Sequence, residues 1–142
     1  MIILDTNGKI TTNQNKTNIA IPFFVDSNTE KIIIDYFYSP KTVEDGEALV
    51  TQCLSEYQVE ADNIDRFLPV KNLVTLSFDD PDGYRGACHR QANQQQIIIA
   101  NSDSTYGIIN RPTISGNWQI MLNVHYVGCE VEYKLKVTGV EK

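Results

Sequence analysis

From Trp118 the chain reads WQIMLNVHY, in which Trp118, Ile120, Leu122, Val124 and Tyr126 alternate with Gln119, Met121, Asn123 and His125. A period of two is what a strand shows when one face packs on a core and the other meets water. VEYKLKV repeats it, with Val131, Tyr133, Leu135 and Val137 set against Glu132, Lys134 and Lys136. Gly128 lies between the runs, so the pattern predicts an antiparallel hairpin and a β-meander at the carboxyl terminus. Upstream, NIAIPFFV and KIIIDYFYS are rich in Ile, Val, Phe and Tyr and are separated by the polar DSNTE, which predicts another pair of joined strands. LVTLSF and QQIIIAN add two more.

One segment departs from this period. In TVEDGEALVTQCLSEY the apolar positions Val43, Leu49, Val50, Cys53, Leu54 and Tyr57 recur at spacings of three and four. Acidic residues crowd its start, where the helix dipole favours them. The spacing predicts an amphipathic helix capped by Thr42, just after the Pro40 that ends the preceding strand. Gly46 weakens it by about 1 kcal/mol relative to alanine. ADNIDRF predicts a short helical turn before Pro69. With no internal repeat and no Pro/Gly/Ser linker, residues 1–142 read as a single domain. Seven or eight antiparallel strands with one inserted helix have their commonest closed solution in an all-β two-layer sandwich of jelly-roll type.

Composition sharpens the picture in one direction. At 142 residues and 42% hydrophobic, the chain has enough apolar surface for a core that needs no disulfide, metal or other cofactor. A net charge of −6 with scattered lysines and arginines argues against nucleic acid and anionic lipid as partners. MIILDTNGKI lacks the basic start and long apolar stretch of a signal peptide, and no run approaches the roughly 18 to 20 apolar residues of a membrane span. A cytoplasmic location is the expectation. Cys53, Cys88 and Cys129 form an odd set without a CxxC pair, which suits free thiols.

Candidate chemistry concentrates in LSFDDPDGYRGACHRQ. Asp79, Asp80, Asp82, Arg85, His89 and Arg90 there are the residues that a calcium or carbohydrate site would use, although the carboxylates lack EF-hand spacing. Cys88 and His89 are adjacent, and neighbours on a strand point to opposite faces, which argues against a Cys/His catalytic pair. The only two histidines, His89 and His125, stand far apart in sequence, with no HxH or HExxH pattern to hold a metal. DDPDG is also ordinary turn chemistry: Asp bonds the backbone that follows it, Pro presets φ and Gly takes a positive φ. The expected outcome is a structural corner in which Arg85 folds back on Asp79 or Asp80. Trp118 is expected in the core, whereas Tyr57, Tyr84 and Tyr106 are candidates for the surface.

The stretch NLVTLSFDDPDGYRGACHRQ resembles the amino-terminal β-sandwich domain that accompanies PHP-type (polymerase and histidinol phosphatase) metal-dependent phosphoesterase domains in bacterial proteins, and stand-alone relatives of that domain. The pattern Asp-Pro-x-Gly-x-Arg-Gly is met by Asp80, Pro81, Gly83, Arg85 and Gly86. A glycine, a proline and Gly-x-Trp follow, met by Gly107, Pro112, Gly116 and Trp118. The likeness covers about residues 20 to 139 and departs at Ile108, where the family often has an aromatic, and at Arg111, where it often has glycine. The resemblance implies a β-sandwich accessory whose associated phosphoesterase activity belongs to a separate histidine-rich domain. On this reading the chain is a non-catalytic binding protein that contacts a protein partner or another copy of itself. A calcium or carbohydrate module at residues 79–90 is the alternative, and a metal-assisted hydrolase comes third.

Overall fold

In the computed structural model, which describes residues 1–59 and 64–142, eight strands are divided equally between two sheets. They are β1 (Ile2–Ile10), β2 (Thr17–Val25), β3 (Thr29–Ser39), β4 (Leu73–Asp80), β5 (Gly83–Cys88), β6 (Gln94–Ile99), β7 (Gly116–Tyr126) and β8 (Val131–Glu141). The first sheet has the order β1-β8-β3-β6 and the second β2-β7-β4-β5. Strand β1 therefore pairs with β8, β2 with β7, β3 with β6 and β4 with β5, all antiparallel. That nesting is a jelly roll: one long ribbon, turned at β4–β5, wound into a sandwich.

The winding corrects two expected pairings. The strands after Trp118, β7 and β8, lie in opposite sheets and form no hairpin, so the carboxyl terminus is not a meander. The same holds for β2 and β3. Alternation marks the inward face of each strand correctly: Trp118, Ile120, Leu122 and Val124 are buried from one sheet, and Val131, Leu135 and Val137 from the other. A period of two states which side is apolar and is silent about which neighbour lies alongside.

Strand β1 carries no such pattern because two of its inward positions are Thr6 and Gly8. The space a side chain at Gly8 would need is taken by the Tyr133 ring. Between the sheets lie Ile32, Ile34, Ile97, Ile99, Leu76, Phe78, Ile120 and Leu122, all essentially without solvent contact. Tyr36 and Tyr38 span the layers, donating their hydroxyls to the carbonyls of Val74 (3.0 Å) and Asn72 (3.2 Å).

Between β3 and β4 the chain forms α1 (Gly46–Glu56) and a short 3-10 helix (Ile64–Phe67). The latter fits the turn expected from ADNIDRF, although Ala61, Asp62 and Asn63 of that expectation lie outside the described residues. Helix α1 starts later than expected, with Asp45 rather than Thr42 at its N-cap position. Thr42 instead forms a β-bridge with Lys71, which holds the incoming chain extended. Gly46 is thus the first helical residue, not an interior one, and it is buried where a Cβ would press on Leu68 and Val70.

The sandwich has two dissimilar ends. One gathers the β4–β5 turn and the loop from Ala100 to Ile114, and the other carries α1 and the β7–β8 connection. No helix among the described residues is long and apolar enough to cross a membrane.

Candidate functional site

At the first end, Asp80 and Gly83 face each other across the Pro81–Asp82 turn, and Gly83 has a positive φ of 122°. Asp80 Oδ1 accepts the backbone N–H of Asp82 at 2.8 Å, as the turn chemistry of the sequence implies. Its Oδ2 takes Arg85 Nη1 at 3.2 Å and Arg111 Nη2 at 2.8 Å. Of the two expected partners for Arg85, the structure selects Asp80.

Arg85 has no solvent exposure, which is rare for a charged side chain. Its Nε donates to Ile109 O (2.8 Å), Nη1 also to Pro112 O (3.2 Å), and Nη2 to Arg111 O (2.5 Å) and Ala100 O (3.3 Å). With Asp80 added, every N–H of the guanidinium fork has a partner. Burial pulls the Arg85 pKa down from its ordinary value, and the hydrogen bond and charge of Asp80 act against that pull. The guanidinium also lies 5.3 Å from the Trp118 ring centre. Arg85 therefore fastens the Ala100–Pro112 stretch to the hairpin, while Trp118 closes the core beneath it and donates Nε1–H to Ile114 O at 2.9 Å.

The backbone follows the same design. Ala87 N donates to Gly107 O (3.1 Å) and Ile109 N to Arg85 O (2.9 Å), so this loop covers the outer edge of β5. Gly86 and Gly107 have φ of 146° and 99°, and a Cβ on either would collide with backbone of the facing segment. The glycines and the arginine that stand out in sequence are thus spent on chain approach. Arg111 is part of the staple, reaching Asp80 and the Tyr84 carbonyl (3.0 Å).

The other candidate residues do not join this cluster. Asp79 lies on the outer side of β4, Asp82 is exposed on the turn, and Arg90 donates to the Tyr106 carbonyl at 3.2 Å. Among the described residues no group of three or more His, Cys, Asp or Glu side chains gathers at one point. Cys88 and His89 face opposite ways: Cys88 is buried and His89 exposed. Burial pushes the Cys88 thiol pKa up, away from the thiolate a nucleophile needs, against a smaller pull from Arg90. The three cysteines are unpaired, and Cys53 is the exposed one.

At the second end the surface has another character. Leu49, Val50, Cys53 and Leu54 of α1, with Tyr57, Val59, Phe67, Val70 and Tyr126, line an open groove of about 430 Å³. Tyr57 is 79% exposed, Val59 50% and Phe67 42%. Beside it, Glu47 and Glu56 of the helix, together with Glu44 and Asp45 just ahead of its first residue, line an acidic surface. No lysine or arginine occurs from Gly46 to Glu56. Three and four spacing identifies this apolar stripe correctly, but it packs only partly on the sandwich. Asn72 anchors the region, donating to Pro40 O (2.9 Å) and accepting Gly128 N (2.8 Å). It is fully buried, and nothing in the sequence sets it apart from the other asparagines.

A third constellation has no sequence signal. His89 Nδ1 and His125 Nε2 each lie 2.8 Å from the Thr75 hydroxyl on the outer face of the second sheet. Strand β4 is flanked by β5 and β7, so residues distant in the chain arrive on either side of Thr75.

No protein-family model and no curated protein matches the chain. Among solved structures it is similar to the Clostridium perfringens CspB protease, with a TM-score of 0.48 and 10% identity over 97% of this chain. The match occupies 25% of the protease chain, so this chain spans about a quarter of that protein's length. It is also similar to GEBA250068378 from Sulfurospirillum deleyianum, with a TM-score of 0.34 and 8% identity over 95% of this chain and 98% of that one.

Proposed function

We propose that the protein is a non-catalytic β-sandwich module that docks, through the groove beside α1, onto an apolar segment of another protein flanked by basic residues. The observation that carries this reading is the pairing of an open apolar groove with an acidic helix face. Exposed apolar surface of this kind favours contact by the hydrophobic effect, and the neighbouring carboxylates select the sign of the partner. The same carboxylates disfavour self-association through this surface, because a two-fold contact would bring two acidic helices together. The chemically richest stretch of sequence supports the non-catalytic part: Arg85 and Asp80 are consumed by internal bonds. The resemblance to PHP-associated accessory domains agrees with a module that serves another protein, and a cytoplasmic setting suits its free thiols.

The test uses a basic amphipathic helical peptide and its acidic twin of equal hydrophobicity. The basic peptide is expected to shift the amide resonances of α1 and Tyr126, weakening with salt, while the acidic twin leaves them in place. Glu47→Lys with Glu56→Lys should reduce affinity for the basic peptide at least tenfold. Equal response to both peptides, or to neither, overturns the reading, as does a stable dimer in sedimentation that buries α1.

A further inference from the structure

We infer that His89, His125 and Thr75 form a binding site for an imidazole-preferring divalent transition-metal ion, Cu²⁺ or Ni²⁺ before Zn²⁺. The site is separate from the groove and does not depend on the proposed docking. Its basis is convergence: the ring nitrogens of the chain's only two histidines are aimed at one point, the Thr75 oxygen, from 2.8 Å each.

The proton count shows why the arrangement is adaptable. A threonine hydroxyl has one proton, so when both rings are neutral one nitrogen accepts it and the other ring donates its own N–H to the oxygen. A cation bound beside the hydroxyl needs lone pairs on both nitrogens. Each ring can supply one as a neutral tautomer with its remaining proton on the far nitrogen. The rings stand at 80° with centres 5.6 Å apart. Two imidazoles sharing a metal at about 2.0–2.1 Å have their centres on the order of 5 to 6 Å apart, so small side-chain rotations suffice. Both rings are exposed, which leaves the remaining coordination positions to water.

The surroundings hold the oxygen in place. Thr75 is 1% exposed and fixed on the central strand β4. Asn123 Nδ2 donates toward its hydroxyl at 3.4 Å and toward Ser77 Oγ at 3.3 Å, and Ser77 Oγ lies 3.4 Å from Asn123 Oδ1. Such outer contacts orient a ligand set. The nearest cation in sequence, Arg90, is turned to the Tyr106 carbonyl. Two neutral imidazoles and a hydroxyl favour nitrogen-seeking metals over Ca²⁺ or Mg²⁺, and the usual order of affinities puts Cu²⁺ first.

Because Cys53 is an exposed thiol that would compete for soft metals, the test uses full-length protein carrying Cys53→Ser. Titration with CuCl₂, NiCl₂ and ZnCl₂ in a non-coordinating buffer is expected to give one equivalent of bound metal, tightest for Cu²⁺. Paramagnetic broadening by Cu²⁺ should start at the His89 and His125 rings. His89→Asn and His125→Asn should each weaken binding at least tenfold, and Thr75→Val by a smaller factor. Thermal melts of the variants without metal separate loss of ligand from loss of fold. Absence of saturable binding, or binding that survives both histidine substitutions, overturns the inference.

Discussion

The two ends of the sandwich divide their labour in opposite ways. At the β4–β5 turn a fully buried guanidinium has all its donors satisfied, glycines allow backbones to touch, and a loop seals the sheet edge. At the α1 end, a helix leaves much of its apolar stripe in water. Residues that look like chemistry are spent on architecture, while residues that look like core remain on the surface. A charged side chain identifies a site only when its bonding capacity is left over, and Arg85 has none.

The largest expected effect follows from removing that arginine. Arg85→Ala removes one of the two guanidinium partners of the buried Asp80 carboxylate and leaves the carbonyls of Ile109, Arg111 and Pro112 without their donor, so it should destabilise by about 3 to 5 kcal/mol, measured as a fall in urea midpoint at constant slope. Arg111 remains on Asp80 and keeps the cost from rising further. Arg85→Lys should recover only part of the loss, since an ammonium cannot reproduce the planar fork. A melt close to wild type for Arg85→Ala would make this end as tolerant as the helix end and remove the contrast.

Thiol labelling reads the same difference without a core substitution. Cys53 is exposed and should react at once with a thiol reagent in native protein, whereas Cys88 is buried and should wait for opening. Each 1.4 kcal/mol lost through a corner substitution should raise Cys88 labelling about tenfold and leave Cys53 unchanged. The Cys88 pKa is raised by burial, so the unfolded chain releases that proton first as pH climbs past the ordinary value of 9.0. The corresponding stability is fully present below that pH and is lost as the pH rises toward the folded value, which denaturant midpoints on either side of pH 9.0 will register.

A smaller change tests the backbone approach alone. Gly107→Ala keeps every charge and hydrogen-bonding side chain, yet places a Cβ against the Ala87 carbonyl at a φ of 99°. Strain of this kind costs on the order of 1 to 3 kcal/mol. Unfolding at wild-type midpoints would show that the loop sits on β5 more loosely than the contact implies.

How much of this is legible in the sequence depends on the range of each signal. Alternation after Trp118 and after Val131 marks the buried faces, and DDPDG gives the turn with Arg85 returning to an aspartate, because those signals are local. Pairing is misjudged for β2 with β3 and for β7 with β8, because the winding of the jelly roll sends the two strands of each of these pairs to opposite sheets. Strand β1 escapes notice because its inward Gly8 leaves room for Tyr133, a contact no window of sequence contains. Meeting of His89 and His125 over Thr75 likewise depends on sheet order, and the late start of α1 depends on the bridge between Thr42 and Lys71.

The smallest expected effect is at the helix end. Tyr57 is 79% exposed, so Tyr57→Ser removes a ring that has little to pack on in the free protein and leaves no cavity behind. Substitutions of that kind change stability within about 0.5 kcal/mol. Helix propensity does not intervene, since α1 ends at Glu56 and Tyr57 occupies its C-cap position. If the groove is a docking surface, the same substitution should weaken binding of the basic amphipathic peptide while the urea midpoint stays put, because an exposed aromatic contributes chiefly when a partner covers it. Were Tyr57→Ser to cost about 3 kcal/mol or more, as a comparable truncation does in a core, the helix end would be a packed layer like the corner. Paired midpoints for Tyr57→Ser and Arg85→Lys, taken in one buffer, decide whether the two ends differ in kind or only in degree.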